Sequence, residues 1–320
     1  MTVNVNPHLD GRDLEILGAL RAGDPAVSGQ VLATRLGITR VALWKRIERL
    51  KGLSYRIEGS PKGYRLLEED VVVPWAFLDG GAVVYRSETT STMDEAWRLA
   101  EDGAPSGTMV VADHQSAGRG RQDSAWPSPG GGLYLTLVLR SRLPASHAAC
   151  LALEGACALA GWLESAHGLR LGLGWPGDLM AGDVKVGGLL VEQAGPLDAP
   201  RFCLLGLGVH LRGGGGPQAS LADLMAHPPL RRDLAQAFRD HLAAWAEAPR
   251  CRPRDWETRL TQFRRSVTVQ DWRGRTFQGV VRGLDDRGAL RLAGPRARRE
   301  TLFLPGEVAR LLPADSGDTT

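Results

Sequence analysis

Gln115-Ser116-Ala117-Gly118-Arg119-Gly120-Arg121-Gln122-Asp123-Ser124-Ala125-Trp126 joins two apolar runs, Thr108-Met109-Val110-Val111-Ala112 before it and Leu133-Tyr134-Leu135-Thr136-Leu137-Val138-Leu139 after it. Both runs predict strands, so the stretch is a long inter-strand loop. Loops of that length are usually functional or disordered. Gly118 and Gly120 let the backbone bend and approach a ligand, and Arg119 and Arg121 supply permanent planar charges that match carboxylate or phosphate. The stretch therefore reads either as a solvated connection or as an anion clamp that orders over its ligand.

The flanking sequence supplies a scaffold for such a clamp. Upstream, Val83-Val84-Tyr85 predicts a short strand, followed by a hydroxyl-rich turn in which Ser91 or Thr92 caps a helix running to Ala100. Downstream, residues 146–168 have the spacing of a packed helix that includes Cys150, Leu153, Cys157 and Gly161. Leu171–Met180, a Gly182-Asp183 turn and Val184–Glu192 read as strand, hairpin and strand, and Leu204–Leu211 as a buried strand. The fold class expected is α+β, with a mixed sheet flanked by helices. Gly213–Gly216 predicts a mobile loop, residues 231–247 an amphipathic helix, and Trp256 with Leu260 one more. From Ser266 short strands alternate with turns, Gly283–Gly288 being the strongest hairpin signal, and predict a small β-barrel ending in a frayed tail at 315–320.

Lys185 stands out on composition. Of the 39 lysines and arginines, only Lys45, Lys51, Lys62 and Lys185 are lysines, and Lys185 is the one beyond residue 67. Where arginine is the habitual cation, a lone lysine in an apolar strand suggests a site that needs a compact, flexible ammonium.

The first 67 residues read differently. Leu14, Leu17 and Leu20 share one helical face, Leu32 and Leu36 another behind a cap at Ser28, and Thr39 caps a third helix with Leu43, Ile47 and Leu50 inward. Arg40, Lys45, Arg46 and Arg49 are expected largely outward. A hairpin from Tyr55 to Leu66, turning at Gly59–Gly63 with Lys62, completes a winged helix-turn-helix whose third helix suits the major groove. Residues 1–67 carry eleven basic against six acidic side chains, whereas 68–262 are net acidic and 263–320 net basic within a total of +3. A basic head favours DNA over a protein-interaction module, with Arg40, Lys45, Arg46, Arg49 and Lys62 as the phosphate-facing residues. The expected domains are 1–67, 68–262 with a linker at 68–82, and 263–320.

Hydrophobic content of 43% and charged content of 23% are those of an ordinary globular protein. No apolar stretch is expected to span a membrane and Met1–Pro7 lacks signal-peptide features, so the expected location is cytoplasmic, with no membrane partner. Cys150, Cys157, Cys203 and Cys251 form no CxxC pair or metal-ligand spacing, which predicts free buried thiols and no metal site.

Gly118-Arg119-Gly120-Arg121, Trp126-Pro127-Ser128-Pro129 and Gly132-Leu133-Tyr134 closely resemble the signature loop of biotin–protein ligases. Together with the head and the terminal barrel, the chain is similar to the bifunctional ligase and biotin-operon repressor family over nearly its whole length. The resemblance implies a class II synthetase-like central domain and an SH3-like tail. It also implies that biotin and ATP, with Mg²⁺, condense to biotinoyl-5′-AMP, from which a lysine of a carboxylase's biotin carrier domain takes the biotin. The implied catalytic residues are Lys185, Arg121, Arg119 and Asp178. Biotin would lie against Ser91, Thr92, Gln115, Arg119, Gly120, Arg121, Lys185, Gly187 and Gly188, and the adenylate against Arg121, Trp126, Lys185 and His210. Operator DNA and a ligand-promoted homodimer complete the implied partners. The sequence departs from the family pattern at Met93, Asp123, Ser124, Gly174, Gly177 and His210. A lipoate–protein ligase would share the architecture, but that family's Arg-Arg and His-Asp loop is absent. A non-catalytic biotin-sensing repressor is the other alternative.

Overall fold

The computed structural model describes residues 11–22, 26–52, 55, 57–67, 82–140, 143–213, 218–294 and 299–314. The expected linker up to residue 81, the glycine loop after Gly213, the tail at 315–320 and the side chain of Leu14 lie outside them. The chain divides into two compact units, Met1–Tyr85 with Leu230–Asp233, and Arg86–Pro229 with Leu234–Thr320.

In the first unit, α1 (Gly11–Ala22), α2 (Gly29–Leu36) and α3 (Arg40–Gly52) precede a hairpin of β1 (Ile57–Ser60) and β2 (Gly63–Leu66). Gly37 ends α2 in the left-handed conformation, returning its N–H to the helix, and Thr39 caps α3 by accepting from Ala42 N at 3.1 Å. Ser28 precedes α2 as expected, but its hydroxyl makes no capping bond. Ile16, Leu17, Leu32, Leu43, Ile47 and Leu50 close the core. Gly63 is required where the hairpin crosses Val27, because a Cβ there would stand 2.1 Å from the Val27 carbonyl oxygen.

One expectation about this unit is corrected. Asp13 on α1 is fully buried, and Arg46 pairs with it at 2.7 Å while Arg49 also donates to it. A buried carboxylate needs compensating charge, so both arginines are committed to Asp13, Arg46 from a half-buried position and Arg49 while still exposed on α3 as expected.

The second unit is built on a seven-stranded sheet. Its strands are β3 (Val83–Thr89, in this unit from Arg86), β4 (Met109–Gln115), β5 (Gly132–Leu139), β6 (Gly172–Gly174), β7 (Asp178–Ala181), β8 (Val184–Ala194) and β9 (Phe202–His210), ordered β3-β4-β5-β9-β8-β7-β6. The pairings from β4 through β5, β9, β8 and β7 to β6 are antiparallel. Strand β3 neighbours β4 across the crossover helix α4 (Thr92–Glu101), and past the strand ends Ser116 N donates to Thr89 O and Ala117 N to Thr90 O. Strands β5 and β9 are buried along their whole length, as their unbroken apolar sequence requires.

Helix α5 (Ala148–His167) packs on β8, followed in sequence by α6 (Arg231–Glu247) and α7 (Pro253–Glu257). Ala145–His167 is long and apolar enough to cross a membrane by length and composition, contrary to expectation, and 61% of its most apolar 18-residue window is buried within the fold. The buried Glu154 of α5 accepts from His241 Nε2 at 2.6 Å, from Trp256 Nε1 at 3.2 Å and from Arg252. The prediction of four free thiols is also corrected. Cys150 and Cys251, 101 residues apart, form a disulfide, leaving Cys157 and Cys203 free.

The C-terminal region is a five-stranded antiparallel sheet of β10 (Ser266–Asp271), β11 (Thr276–Leu284), β12 (Leu290–Ala293), β13 (Glu300–Phe303) and β14 (Val308–Pro313), ordered β13-β12-β11-β10-β14. Strands β13 and β14 add to those predicted. The β11–β12 turn seats on α5, where a Gly288 Cβ would come 2.9 Å from Ala149 Cβ, and Trp175 Nε1 between β6 and β7 donates to Gly288 O at 2.8 Å.

Candidate active site

The turn between β3 and α4 supplies a fixed polar corner. Ser91 caps α4 by accepting from Met93 N at 3.2 Å. Gln115, the last residue of β4, accepts from Thr92 N at 2.8 Å and from Thr92 Oγ1 at 3.0 Å, and donates through Nε2 to Ser128 Oγ at 2.9 Å. Thr136, the lone aliphatic hydroxyl in the apolar β5 run, meets Thr92 Oγ1 at 2.9 Å. Both ends of the Gln115 amide are thereby oriented before any ligand arrives, which is the preorganisation a polar head group requires.

The cationic wall lies on β7, β8 and the loop. Lys185 Nζ sits 2.7 Å from Asp178 Oδ1 and 5.0 Å from the Trp126 ring centroid. A bulge between Leu179 and Met180 re-aims the strand pair, and Gly188 keeps the space clear, since a Cβ there would come within 3.0 Å of Lys185 Nζ. Arg121 leans into the same space, and its Nη1 is buried with no partner among the described residues. Burial pulls the Arg121 guanidinium below the usual arginine range, against the opposing charge of Asp178. A buried, unsatisfied cationic donor beside an ammonium is the chemistry of a site made for an anion.

Arg119 behaves in the opposite way. Its guanidinium bonds Glu192 through Nε at 3.1 Å and Nη2 at 3.2 Å, and also donates from Nη1 to Asp94. The bond to Glu192, reinforced by Asp94, outweighs burial and holds Arg119 well above the usual arginine range. Arg119 thus fastens the loop to β8 and α4, and in this state it is not the free clamp expected from sequence.

Trp126 closes the site. It lies flat on β9, where a Cβ on Gly208 would fall 2.3 Å from Trp126 Nε1, and it stacks on His210 with centroids 5.5 Å apart. His210 Nε2 faces Gln218 Oε1 at 2.7 Å; with that nitrogen donating, Nδ1 is an acceptor, buried and without a partner among the described residues. Burial is the main cause holding the imidazole below its ordinary pKa, and the nearby Lys185 charge adds to it.

These elements enclose a cavity of about 230 Å³. Of the residues predicted from sequence, Ser91, Thr92, Gln115, Arg119, Gly120, Arg121, Trp126, Asp178, Lys185 and Gly188 line it. Gly187 and His210 do not. By strand alternation Gly187 faces Val209 and Leu179 on the other side of β8, and His210 stands behind Trp126, touching the cavity-lining Gln218. Sequence reading missed Thr136, Ser128, Asp94, Glu192 and Gln218, of which only Thr136, a hydroxyl within an apolar strand, carried a local signal.

Several departures from the family pattern have physical counterparts. Met93 is buried, with its sulfur 2.9 Å from where a Gly206 Cβ would lie, so a thioether covers the floor in place of an amide. At Gly177 a Cβ would stand 3.0 Å from Ala152 Cβ, which leaves little room for an asparagine. Ser124 Oγ donates to Arg121 O at 2.8 Å, and Gly120 N to Ser124 O at 2.7 Å, closing the tight turn that presents Arg121. The side chain of Asp123 lies outside the described residues.

Comparison with known proteins gives the family. Residues 83–205 match the Biotin/lipoate A/B protein ligase family, 12–65 an HTH domain and 265–299 the Biotin protein ligase C terminal domain. The bifunctional ligase/repressor BirA of Bacillus subtilis is 29% identical over 300 residues, covering 85% of this chain and 90% of that protein. The biotin–[acetyl-CoA-carboxylase] ligase of Paracoccus denitrificans is 32% identical over 238 residues, 67% of this chain and 95% of its own length. The fold is shared with a biotin protein ligase from Aquifex aeolicus solved in complex with biotin and ATP, at 22% identity and a TM-score of 0.61 over 73% of this chain and 99% of that one. The chain belongs to the biotin–protein ligase family.

Proposed function

We propose that this protein is an ATP-dependent biotin–protein ligase that forms biotinoyl-5′-AMP in the cavity and transfers biotin to a carrier-domain lysine, with its head acting as a biotin-responsive repressor module. The observation that carries the reading is the pair of cations, Arg121 with an unsatisfied buried nitrogen and Lys185, facing the fixed amide of Gln115 across one cavity. A carboxylate and a triphosphate repel each other, so the chief catalytic demand is neutralising and aligning two anions. Lys185 and Arg121 supply positive charge where the carboxylate oxygen bonds to the α-phosphorus and pyrophosphate departs. In the second step the acceptor amine attacks the acyl carbon and AMP leaves, with Asp178 placed to orient the amine or Lys185. Gln115, Thr92 and Ser91 hold biotin's polar head, Gly188 admits its chain, and Trp126 covers the adenylate.

Mg²⁺ fits as a phosphate-borne ion. Among the described residues no three His, Cys, Asp or Glu side chains cluster as ligands, and Asp178 is the carboxylate lining the cavity. When bound, Mg²⁺ would offset charge on the polyphosphate. The remaining proposals are a ligand-promoted homodimer, operator DNA as partner of the head, and a cytoplasmic location where ATP and carrier protein are available. The three-part division at 1–67, 68–262 and 263–320 is the corresponding domain scheme.

The test is turnover with labelled biotin, ATP and a biotin carrier domain, in parallel with lipoate and its carrier. Label on the biotin carrier supports the ligase. Label from lipoate alone identifies a lipoate ligase, and ligand binding without transfer identifies a non-catalytic sensor.

A further inference from the structure

The head offers an inference that rests on the repressor reading just given and goes beyond it. Helix α3 has a clear division of faces. Leu43, Ile47 and Leu50 are buried, Arg46 and Arg49 flank them and turn to Asp13, and the opposite face carries Val41, Trp44, Lys45 and Glu48 at helical spacing. Val41 is 63% exposed and Trp44 53%. Single exposed apolar side chains are ordinary on a surface. Here two stand one turn apart at the centre of the solvent face, in the N-terminal half of the helix that a helix-turn-helix presents to bases.

We propose that Val41 and Trp44 read base sequence by packing on thymine methyl groups in the major groove, while Arg40, Lys45 and Lys62 hold phosphates and Arg46 and Arg49 touch no DNA. Three observations support duplex DNA as the occupant. Residues 1–67 are net basic, eleven against six. Arg40 and Lys45, beside the apolar pair, are exposed and carry no ion pair among the described residues, so their charge is available to a backbone. Glu48, which would repel phosphate, lies a turn further along and is neutralised by Lys51 at 2.7 Å. Apolar contact with the C5-methyl is the one base-edge feature that Val41, without donor or acceptor, can distinguish, and the Trp44 ring beside it offers a broad apolar face to the same methyl. With Arg46 and Arg49 committed to Asp13, and Arg40 and Lys45 assigned to phosphates, guanine readout has little support on this face, so the preferred site should be rich in A·T pairs at the positions α3 reaches.

The experiment uses the full-length protein with biotin and ATP. A duplex is selected from a randomised pool by the wild type, and its affinity is measured with thymine and with uracil at each selected A·T position. Uracil removes only the methyl group. The expected result is a loss on the order of 10-fold at one or two positions in the wild type. V41A or W44A should weaken the thymine duplex similarly and be insensitive to uracil at the same position. Non-specific affinity and salt slope should be unchanged in both variants, whereas Lys45→Ala should lower the slope by about one unit. Equal thymine and uracil affinities in the wild type, or variants that select the same duplex with unchanged affinity, overturn the assignment and leave the repressor reading standing. A wild type that selects no sequence overturns the repressor reading itself, and a loss of ligand-dependent dimer mass in W44A would assign the patch to a second protein copy instead.

Discussion

The loop Gln115–Trp126 and helix α3 both carry cations set out along a short segment, and each divides them into two kinds. In the loop, Arg119 is held by Glu192 and Asp94 while Arg121 keeps an unsatisfied nitrogen. On α3, Arg46 and Arg49 are held by Asp13 while Arg40 and Lys45 stay free of ion pairs among the described residues. The surroundings differ. The loop's available cation is desolvated in a concave cavity, and those of the head are hydrated on a convex face. Electrostatics are stronger where water is excluded, so one substitution in the cavity should cost far more function than one on α3.

The largest effect is expected at Lys185. Its replacement by alanine leaves Asp178 facing the incoming phosphates without its partner, and adenylate formation should fall at least on the order of 10²–10³-fold while biotin binding remains measurable. ATP–pyrophosphate exchange is the assay, and wild-type exchange in this variant would remove Lys185 from the chemistry.

The two loop arginines should separate cleanly. Arg121→Gly is expected to release the adenylate early, seen as biotin on bystander lysines, with little change in thermal stability because no internal bond is lost. Arg119→Gln should loosen the loop, leaving two partly exposed carboxylates unpaired at a stability cost of about 1 kcal/mol that shrinks in high salt. Protease nicking within residues 115–126, compared with leakage of product, tells the two apart; identical profiles would erase the distinction between anchor and clamp.

On the head, substituting Arg46 and Arg49 together with glutamine should lower its melting temperature by about 5–10 °C, because a buried carboxylate loses its counter-charges. Lys45→Ala should leave melting unchanged and weaken DNA binding a few-fold at low salt. A reversed outcome would mean that Asp13 is not the arginines' main partner.

The smallest effect is expected at His210. Burial lowers its pKa, so the folded state holds this proton less well than the unfolded chain does. The associated stability is complete above the ordinary histidine value near 6.5 and is lost as pH falls through that value toward the lower folded one. Activity should decline over the same window as the imidazolium disturbs Trp126 and Gln218. His210→Asn should flatten that decline and stay within about threefold of wild type at pH 8, as read from a pH–rate profile.

What was legible in the sequence follows from locality. Strand and helix periodicities, the Ser91 cap and the lone lysine are local signals, and the cavity gathers most residues named from them. What was hidden depends on partners remote in sequence. Arg119 meets Glu192 across 73 residues, and Arg46 meets Asp13 across 33. Cys150 bonds Cys251 across 101 residues, a pairing that spacing cannot reveal. Gly187 lies off the cavity lining for a different reason. Adjacent glycines on a strand face opposite sides, and only the bulge and register of β7 on β8 decide which one borders the cavity.

The scarcity of lysine has a meaning beyond Lys185 itself. An acyl adenylate is an indiscriminate reagent toward primary amines, and the first amines it meets are those of the protein that made it. From residue 68 onward this chain offers one side-chain amine, Lys185, engaged by Asp178, among guanidinium groups too weakly nucleophilic to react. The catalytic body thus offers its own product almost no amine to acylate, so little reactive intermediate is lost to self-labelling on lysine.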